Sequence, residues 1–356
     1  MNVLIISLNF RVAHVAHLVA SYKQLAELGY KPQLLVHPET VKFLPGNMNI
    51  RTNYKKVSSP DIALFWFPAI GNIKVMLYLK RHYKSKIIYI LHEPIENLTT
   101  YINAQLSIKE ISMTYLRYTA TLIFLSLANH IILPSEKAYN LYASSISKRL
   151  CRDYTLMPLI FADDSESVPV KSSNRNYFSY IGTIAKDHAF DEFLKFIQLC
   201  YNDSMFPKDI KFLIATRNIV DVTPELSKMI ADQRLKIIDG HPLTEEEIND
   251  SYASSFAVWN AYHRTTQSGV LAKASMFGTP ALVSRKNLSE FSIDGKNVIA
   301  VEDNNNYEEL RKALLTVKKN FSYYSQQSRD LFLSKFFYRK SNDIILSIIK
   351  KVVAEK

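Results

Sequence analysis

One turn, together with the first residues of the helix predicted after it, has the composition of an anion-binding site. It follows an apolar stretch of the sequence. The block runs from Thr265 to Pro280, directly after a predicted strand that ends at Trp259. Gln267, Ser268 and Gly269 stand where the helix would open, and a helix N-terminus offers unpaired backbone N–H groups and a dipole equivalent to roughly +0.5 elementary charge. The glycine would let a bulky anion approach the backbone. The block therefore predicts an anion pocket, and a diphosphate commonly occupies such pockets.

Two cations could neutralise an anion bound at this turn. Arg264 stands just before it and Lys273 lies one turn into the predicted helix. Charge-assisted hydrogen bonds from such groups are stronger than those between neutral partners. An ordinary strand–turn–helix, in which Ser268 only caps the helix, would contain the same residues, so both interpretations stay open.

A second group of polar residues lies in the N-terminal half. His92 and Glu93 follow a predicted strand over Lys86–Leu91, and Glu93 could orient an acceptor hydroxyl or act as its general base. Arg11 and His14 lie in the first strand-to-helix loop, where the arginine would suit an acceptor that carries phosphate. The alternatives are that His92 only caps its strand and that His14 is exposed, together with His17, on one helical face.

Strand-like and helical patterns alternate along the whole chain. Such alternation predicts right-handed βαβ units and doubly wound parallel sheets. The predicted strands are Val3–Ser7, Gln33–His37, Asp61–Trp66, Lys86–Leu91, His130–Leu133, Tyr177–Ile181, Ile210–Ala215, Leu235–Ile238, Ser255–Trp259, Pro280–Ser284 and Asn297–Val301.

The alternation is interrupted once, by a polar, serine-rich segment. We therefore predict a first domain over 1–162, a linker over 163–176, a second domain over 177–335 and a C-terminal helix over 336–356 that packs back toward the first domain. In open parallel sheets, ligands bind outside the carboxyl ends of the strands. Two such domains predict a ligand cleft between them.

The composition excludes several classes of protein. Of 356 residues, 47% are hydrophobic and 22% charged, which is typical of a globular chain. Cys151 and Cys200 provide neither a disulfide framework nor a metal pair, and no third ligand at metal-binding spacing accompanies the histidines. A P-loop, a dinucleotide-binding turn and a Gly-x-Ser-x-Gly motif are absent from the sequence. Without a basic leader or an apolar run of membrane-spanning length, we expect a cytoplasmic protein.

The chain has a net charge of +11. Basic residues are concentrated between Asp61 and Glu93, where the sequence contains no acidic residue. Basic residues interleaved with apolar and aromatic ones suit an anionic membrane surface, and a solvated helix end beside a buried strand is the alternative. A nucleic-acid partner is disfavoured because no reader motif is present. The basic residues of the stretch are Lys74, Lys80, Arg81, Lys84 and Lys86.

Five short segments follow the order of motifs in a known family. They are Tyr180–Thr183, Asp239–Gly240, Ser268–Pro280 and Asp294–Asn297, with Asn129–Ser135 in the first domain. With them, nearly the full length of the chain resembles GT-B glycosyltransferases, most of all the retaining family-4 enzymes that use sugar nucleotides. The resemblance implies two Rossmann-like domains, a nucleoside diphosphate sugar as co-substrate without a further cofactor or metal, and retention of the anomeric configuration. It also implies that His92 reaches the donor sugar or its phosphate.

The chain departs from the family pattern at the residues that carry its chemistry. The two family glutamates fall on Thr265 and Lys273, and the family's arginine and lysine donor clamp falls on Thr183 and His188. Lysine beside a diphosphate could stabilise the charge of the leaving group. The candidates to replace the donor clamp are Lys186, His188 and Arg217.

These observations together predict a metal-independent, membrane-peripheral glycosyltransferase. It would transfer a sugar from a nucleotide sugar to a lipid-linked glycan or oligosaccharide in surface polysaccharide synthesis. His92, Glu93 and Lys273 are its predicted catalytic residues. A non-catalytic nucleotide-sugar or glycan-binding or scaffolding protein of the same fold is a second hypothesis, which the replaced glutamates favour. A nucleotide-sugar epimerase is a third.

Overall fold

A computed structural model describes residues 1–104, 106–145, 150, 152–165 and 175–354. The chain divides into two compact units. The first contains Met1–Tyr101, Ser107–Ala162 and Lys335–Lys356, and the second contains Ile102–Leu106 and Asp163–Ser334. Of the predicted linker over 163–176, residues 166–174 lie outside the described part of the chain.

The first unit is built on a seven-stranded sheet in which every neighbouring pair of strands is parallel. The order is β3-β2-β1-β4-β5-β6-β7, so the direction of strand addition reverses between β1 and β4. Its strands are β1 (Asn2–Ser7), β2 (Lys31–Val36), β3 (Ile50–Arg51), β4 (Ile62–Phe65), β5 (Lys86–Ile90), β6 (His130–Leu133) and β7 (Tyr154–Leu156). Its helices up to that point are α1 (Val15–Glu27), α2 (Gly71–Tyr83), α3 (Leu98–Asn103), α4 (Ile108–Leu127) and α5 (Glu136–Ser145).

The second unit repeats the plan with six parallel strands. The order β10-β9-β8-β11-β12-β13 reverses between β8 and β11. Its strands are β8 (Tyr177–Ile181), β9 (Lys211–Ala215), β10 (Leu235–Ile238), β11 (Ser255–Asn260), β12 (Ala281–Ser284) and β13 (Val298–Val301). Its helices are α6 (Phe190–Asn202), α7 (Pro224–Ala231), α8 (Glu245–Ala253), α9 (Gly269–Met276), α10 (Tyr307–Lys319) and α11 (Phe321–Leu331), and α12 (Asn342–Ala354) then completes the first unit.

The central strands are buried and mostly apolar because helices cover both faces of each sheet. All six residues of β11 are buried, as are all four of β4 and of β6. The predicted two parallel-sheet, Rossmann-like domains are therefore confirmed. Among the described residues, no helix combines the length and apolarity needed to cross a membrane.

Both described ends of the predicted linker are fastened inside the second unit. Arg329 of α11 binds the carboxylate of Asp163 and donates to the carbonyl oxygen of Met276 at 2.7 Å. At the other end, Arg175 donates to the carbonyl oxygen of Phe277 at 2.6 Å and to Thr279 Oγ1 at 2.9 Å. The C-terminal end of α9 thus holds the backbone on both sides of the segment.

Gly278 allows α9 to end against α11. Its φ of 62° lies in the left-handed region that favours glycine, and a Cβ placed there would lie 2.8 Å from Ser325 Oγ and 3.1 Å from the Ser325 carbonyl oxygen. The turn from α9 into β12 therefore depends on the missing side chain.

We expect Gly278→Ala to lower the free energy of unfolding of the second unit by about 2 kcal/mol or more, from left-handed backbone strain and overpacking. Trp66 and Trp259 are the only tryptophans, one in each unit. Urea unfolding followed by Trp259 fluorescence in a Trp66→Phe background isolates the second unit. Gly269→Ala is the control, because Gly269 also lies in the second unit and a Cβ there meets no atom within 4 Å. Equal stability of the two alanine variants would contradict the expectation.

Candidate functional site

The candidate donor site lies in the second unit at the carboxyl ends of β8 and β11. These neighbouring strands flank the point where the strand order reverses, and the crossovers that leave them run to opposite sides of the sheet. Gly182, directly after β8, has a φ of 138°, and a Cβ there would lie 3.7 Å from Cγ2 of Val270 in the first turn of α9. The β8–α6 loop therefore lies beside the start of α9.

The start of α9 has the form that the sequence predicted. Ser268 is the N-cap residue: its hydroxyl accepts from the Leu271 amide at 3.2 Å and donates to Asn260 Oδ1 at 2.7 Å. Gly269 is exposed, and a Cβ at this position would meet no atom within 4 Å. By helix geometry, the amides of Gly269 and Val270 have no acceptor within α9. Two N–H donors beside an open glycine can receive an anion.

An ion pair and two hydrogen-bond contacts join the segments that follow β8 and β11. Arg264 Nη1 lies 3.2 Å from Asp187 Oδ2, and His263 Nε2 lies 2.9 Å from Glu192 Oε1. The His263 amide also donates to the Asp187 carbonyl oxygen at 2.8 Å. His263 holds the pKa of the Glu192 carboxyl below its usual range through its hydrogen bond. The guanidinium of Arg264 is therefore positioned across the reversal point by a carboxylate.

The predicted substitutes for the donor clamp lie on the same edge of the sheet. His188 Nδ1 lies 2.8 Å from the Thr183 carbonyl oxygen, and its ring stacks on Tyr262 with centroids 4.2 Å apart. Lys186 is exposed in the β8–α6 loop, and Arg217 is exposed after β9, the neighbour of β8. Gln267 is half-buried just before the α9 cap.

A cavity of about 350 Å³ opens beside this edge. Its volume is within the range of small-molecule sites. Charged groups of both signs line it, so it could hold a polar ligand. The lining includes Lys186, Asp191, Glu192, Lys195 and His263.

Lys273 is buried on the inner side of α9 and is already paired with two carboxylates. Its Nζ lies 2.7 Å from Asp164 Oδ2 and 3.2 Å from Glu245 Oε2, and its side chain is 6% exposed. Glu245 belongs to the first turn of α8, so the ammonium joins α9, α8 and the segment that enters the second unit. Its predicted catalytic role stays a prediction, and neither carboxylate was among the predicted site residues.

The first unit carries a cluster of imidazole and aromatic rings at its own reversal point. His14 stacks on Phe67 with centroids 3.3 Å apart, and His92 stacks on the same ring at 4.7 Å. His17 packs parallel to Trp66 at 5.2 Å, and its Nδ1 lies 3.0 Å from the Ile160 carbonyl oxygen. His17 is 6% exposed, so the alternative that it lies on an exposed helical face is wrong.

The ring cluster contains His14 and His92, two of the residues predicted on the acceptor side. Phe67 follows β4, His92 follows β5 and Ser7 ends β1, with Ser7 Oγ 3.3 Å from His14 Nδ1. Glu93, which follows His92 in the sequence, and Arg11, which precedes His14 by three residues, are both exposed. Phe67 was not predicted as a site residue, because an apolar side chain outside the predicted motifs does not indicate a functional site. The order of the strands in the sheet brings it together with the histidines.

Burial lowers the pKa of His92 to about 3, and the neighbouring His17 acts in the same direction. A hydrogen bond involving the Trp66 backbone opposes the shift only in part. The imidazole is therefore neutral near pH 7. It can exchange hydrogen bonds with a substrate but is a poor proton acceptor. Among the described residues, no cluster of three or more His, Cys, Asp or Glu side chains is placed to hold a metal ion.

Comparison with solved structures identifies the architecture. No protein-family model and no curated protein sequence matches the chain. The Anabaena protein HepE, in complex with UDP and glucose, aligns with a TM-score of 0.70 at 10% identity over 99% of this chain and 100% of its own. The chain has a GT-B fold. Sucrose-phosphate synthase from Thermosynechococcus elongatus aligns with a TM-score of 0.68 at 10% identity over all of both chains.

A protein described as a different class of enzyme shares this architecture. A putative UDP-N-acetylglucosamine 2-epimerase from Listeria monocytogenes aligns with a TM-score of 0.63 at 14% identity, over 100% of this chain and 97% of its own. At these identities the comparisons establish the fold, and the activity has to be argued from the residues.

We expect Lys273→Met to lower the free energy of unfolding of the second unit by about 1–3 kcal/mol. The variant keeps most of the linear apolar side chain but leaves Asp164 and Glu245 without their shared cation. Both carboxylates are partly exposed, so the loss is smaller than for a fully buried pair. Urea unfolding followed by Trp259 fluorescence in the Trp66→Phe background measures it.

The matched control removes the unpaired charges as well. Combining Lys273→Met with Asp164→Asn and Glu245→Gln is expected to recover most of the lost stability, because neutral side chains need no counter-ion. A Lys273→Met variant as stable as its parent would show that the ion pairs do not stabilise the unit.

His92 is expected to make the stability of the first unit fall in acid. The unfolded chain takes up a proton near pH 6.5, whereas the folded chain does so only near pH 3, so stability decreases as the pH falls between these values. His92→Gln is expected to flatten this dependence by up to about 1.4 kcal/mol per pH unit. Urea unfolding of both proteins in a Trp259→Phe background, followed by Trp66 fluorescence over this pH range, tests it. Parallel stability–pH curves would contradict the expectation.

Proposed function

We propose that the protein is a glycosyltransferase that transfers a sugar from a nucleoside diphosphate sugar to a lipid-linked glycan acceptor, retaining the anomeric configuration, in the synthesis of a surface polysaccharide. The observation that carries the proposal is the open start of α9. There the amides of Gly269 and Val270 begin a helix at the reversal of strand order. Diphosphates bind such helix starts because the amides and the helix dipole attract anions.

In this proposal, the protein's own cations balance the diphosphate. Arg264 is held at the site by Asp187, and Lys186 and Arg217 are exposed on the neighbouring loops. These groups would stabilise the charge that develops on the leaving diphosphate as the glycosidic bond breaks, without a metal ion. The pairing of Lys273 with Asp164 and Glu245 favours a positioning role, in which it holds α9 in place for the donor.

The acceptor would bind the first unit. The stacked rings of His14 and Phe67 offer a flat surface, and Arg11 would attract an acceptor phosphate. The neutral imidazole of His92 would exchange hydrogen bonds with a sugar hydroxyl, while the exposed Glu93 would orient or deprotonate the attacking hydroxyl. Two structural neighbours support the reaction class: HepE was solved with UDP and glucose, and another is a sucrose-phosphate synthase.

Binding of the nucleotide part is tested by thermal shift with UDP, GDP, ADP and CMP. We expect UDP to raise the melting temperature by about 5–10 °C at about a hundredfold excess over its Kd, because a ligand that binds only the folded state stabilises it. Gly269→Val should abolish the shift by obstructing the approach to the helix start. Gly46→Ala should retain it. The absence of a shift with all four nucleotides would contradict the donor site.

We expect Arg264→Ala to lower turnover by a factor of tens or more, measured as nucleotide release in the presence of donor and acceptor. Arg285→Ala is the matched control, since Arg285 is also a paired arginine of the second unit but bonds to Asp294 and Glu302. Unchanged turnover in Arg264→Ala would exclude this guanidinium from the site.

An epimerase is the second candidate function, because a putative epimerase has the same fold. Chromatography of the donor after incubation without acceptor distinguishes the two. A new nucleotide sugar formed from the donor alone would establish epimerisation, whereas product that requires acceptor supports transfer. Nucleotide binding without any product over a panel of donors and acceptors would instead support the non-catalytic hypothesis.

A further inference from the structure

Helix α4 is a long, well-formed helix that lies largely on the surface of the first unit. It spans 20 residues and begins with a capping box, in which Ser107 and Glu110 satisfy each other's backbone amides. Only Phe124 and Leu125 of the helix are buried. Most helices of globular proteins bury an apolar stripe, so the exposed side of α4 needs a separate explanation.

The exposed side of α4 is apolar or uncharged along most of its length. Ile108 is 85% exposed, Leu116 64% and Ile123 43%. Their spacing, continued by Ser112 and Thr119, places them along one side of the helix. We call the five residues Ile108, Ser112, Leu116, Thr119 and Ile123 the α4 outer face. Large exposed apolar patches on a folded protein mark sites of interaction.

The charges of α4 itself are compatible with an anionic partner. Glu110 is its only acidic residue, and that carboxylate is occupied by the Ser107 amide at 2.7 Å. Lys109 and Arg117 are its basic residues, and both are exposed. The helix therefore presents apolar side chains with cations beside them.

Three further cations gather at the C-terminal end of α4, where α2 packs against it. Arg152 donates to the carbonyl oxygen of Ser126 in the last turn of α4 at 2.6 Å. Burial lowers the pKa of Lys80, and repulsion from Arg152 and Lys86 lowers it further. We call Lys80, Lys86 and Arg152 the basic cluster. Anionic headgroups are attracted to positive charges at such a position.

We propose that the α4 outer face and the basic cluster dock this protein on an anionic lipid surface. The apolar side chains would enter the boundary between headgroups and acyl chains, and the basic cluster would contact the anionic headgroups. Lys74, another cation predicted to face a membrane surface, lies over the ring of Tyr54, 5.8 Å from its centroid, and its contact with a membrane stays a prediction. The docking surface does not depend on the proposed enzymatic activity.

Co-sedimentation of the full chain with vesicles tests the proposal. We expect binding to vesicles of phosphatidylcholine and phosphatidylglycerol in equal amounts, and much weaker binding to phosphatidylcholine alone. Leu116→Ser with Ile123→Ser should weaken the partitioning about tenfold or more, because two apolar side chains no longer leave water. Lys80→Gln with Arg152→Gln should weaken it about tenfold, and only for the anionic vesicles.

Met205→Ser with Ile219→Ser is the matched control, since these side chains of the second unit are 78% and 83% exposed. It should bind vesicles as the unmodified protein does. Insertion is measured directly by the tryptophan fluorescence of Leu116→Trp, in a background where Trp66 and Trp259 are replaced by phenylalanine. We expect this fluorescence to shift to the blue when anionic vesicles are added.

Three results would overturn the proposal. The first is failure of the unmodified protein to bind anionic vesicles, and the second is unchanged binding by Leu116→Ser with Ile123→Ser. The third is a concentration-dependent dimer in sedimentation velocity that this double variant abolishes, which would assign the α4 outer face to a second copy of the chain.

Discussion

In each of the two parallel sheets, the first strand along the chain lies in the interior of the sheet. This constraint determines where polar groups can accumulate. The chain first adds strands on one side of β1 or β8 and then returns to add strands on the other side. The connections at that point leave toward opposite faces of the sheet, so the carboxyl ends of the two central strands are not covered by a common helix. The start of α9 and the ring cluster of His14, Phe67 and His92 both lie at such ends.

Ion pairs with carboxylates determine which cations at the candidate donor site can bind a ligand. Lys273 and Arg264 stand close together in the sequence, but their charges are used differently. Lys273 is turned inward between two carboxylates, whereas Arg264 is held across the reversal point by one. Burying an ammonium requires compensation, and Asp164 with Glu245 provides it. A positive side chain near a helix start is therefore not necessarily a ligand of the anion.

Local patterns predicted the sheets and the start of α9 because strand burial, helix capping and glycine turns depend on residues close in sequence. The strands predicted at Val3–Ser7 and Tyr177–Ile181 agree with β1 and β8 to within one residue, and Ser268 caps α9 as expected. The partners of Lys273 could not be predicted, because Asp164 lies 109 residues away in the chain and Glu245 lies 28. The exposure of α4 could not be predicted for a related reason, because only the packing of the folded chain shows that most of its surface faces solvent.

Asp163 and Arg175 are both bound near the C-terminal end of α9. The fold of the second unit therefore does not depend on the length of the segment between these two residues. Both anchors belong to one unit, so residues added between them leave the anchors in place, and the entropic cost of joining two fixed points grows only with the logarithm of the chain length between them. Evolution could therefore lengthen or shorten this stretch freely, and a protein engineer could place a peptide tag or a small inserted domain there.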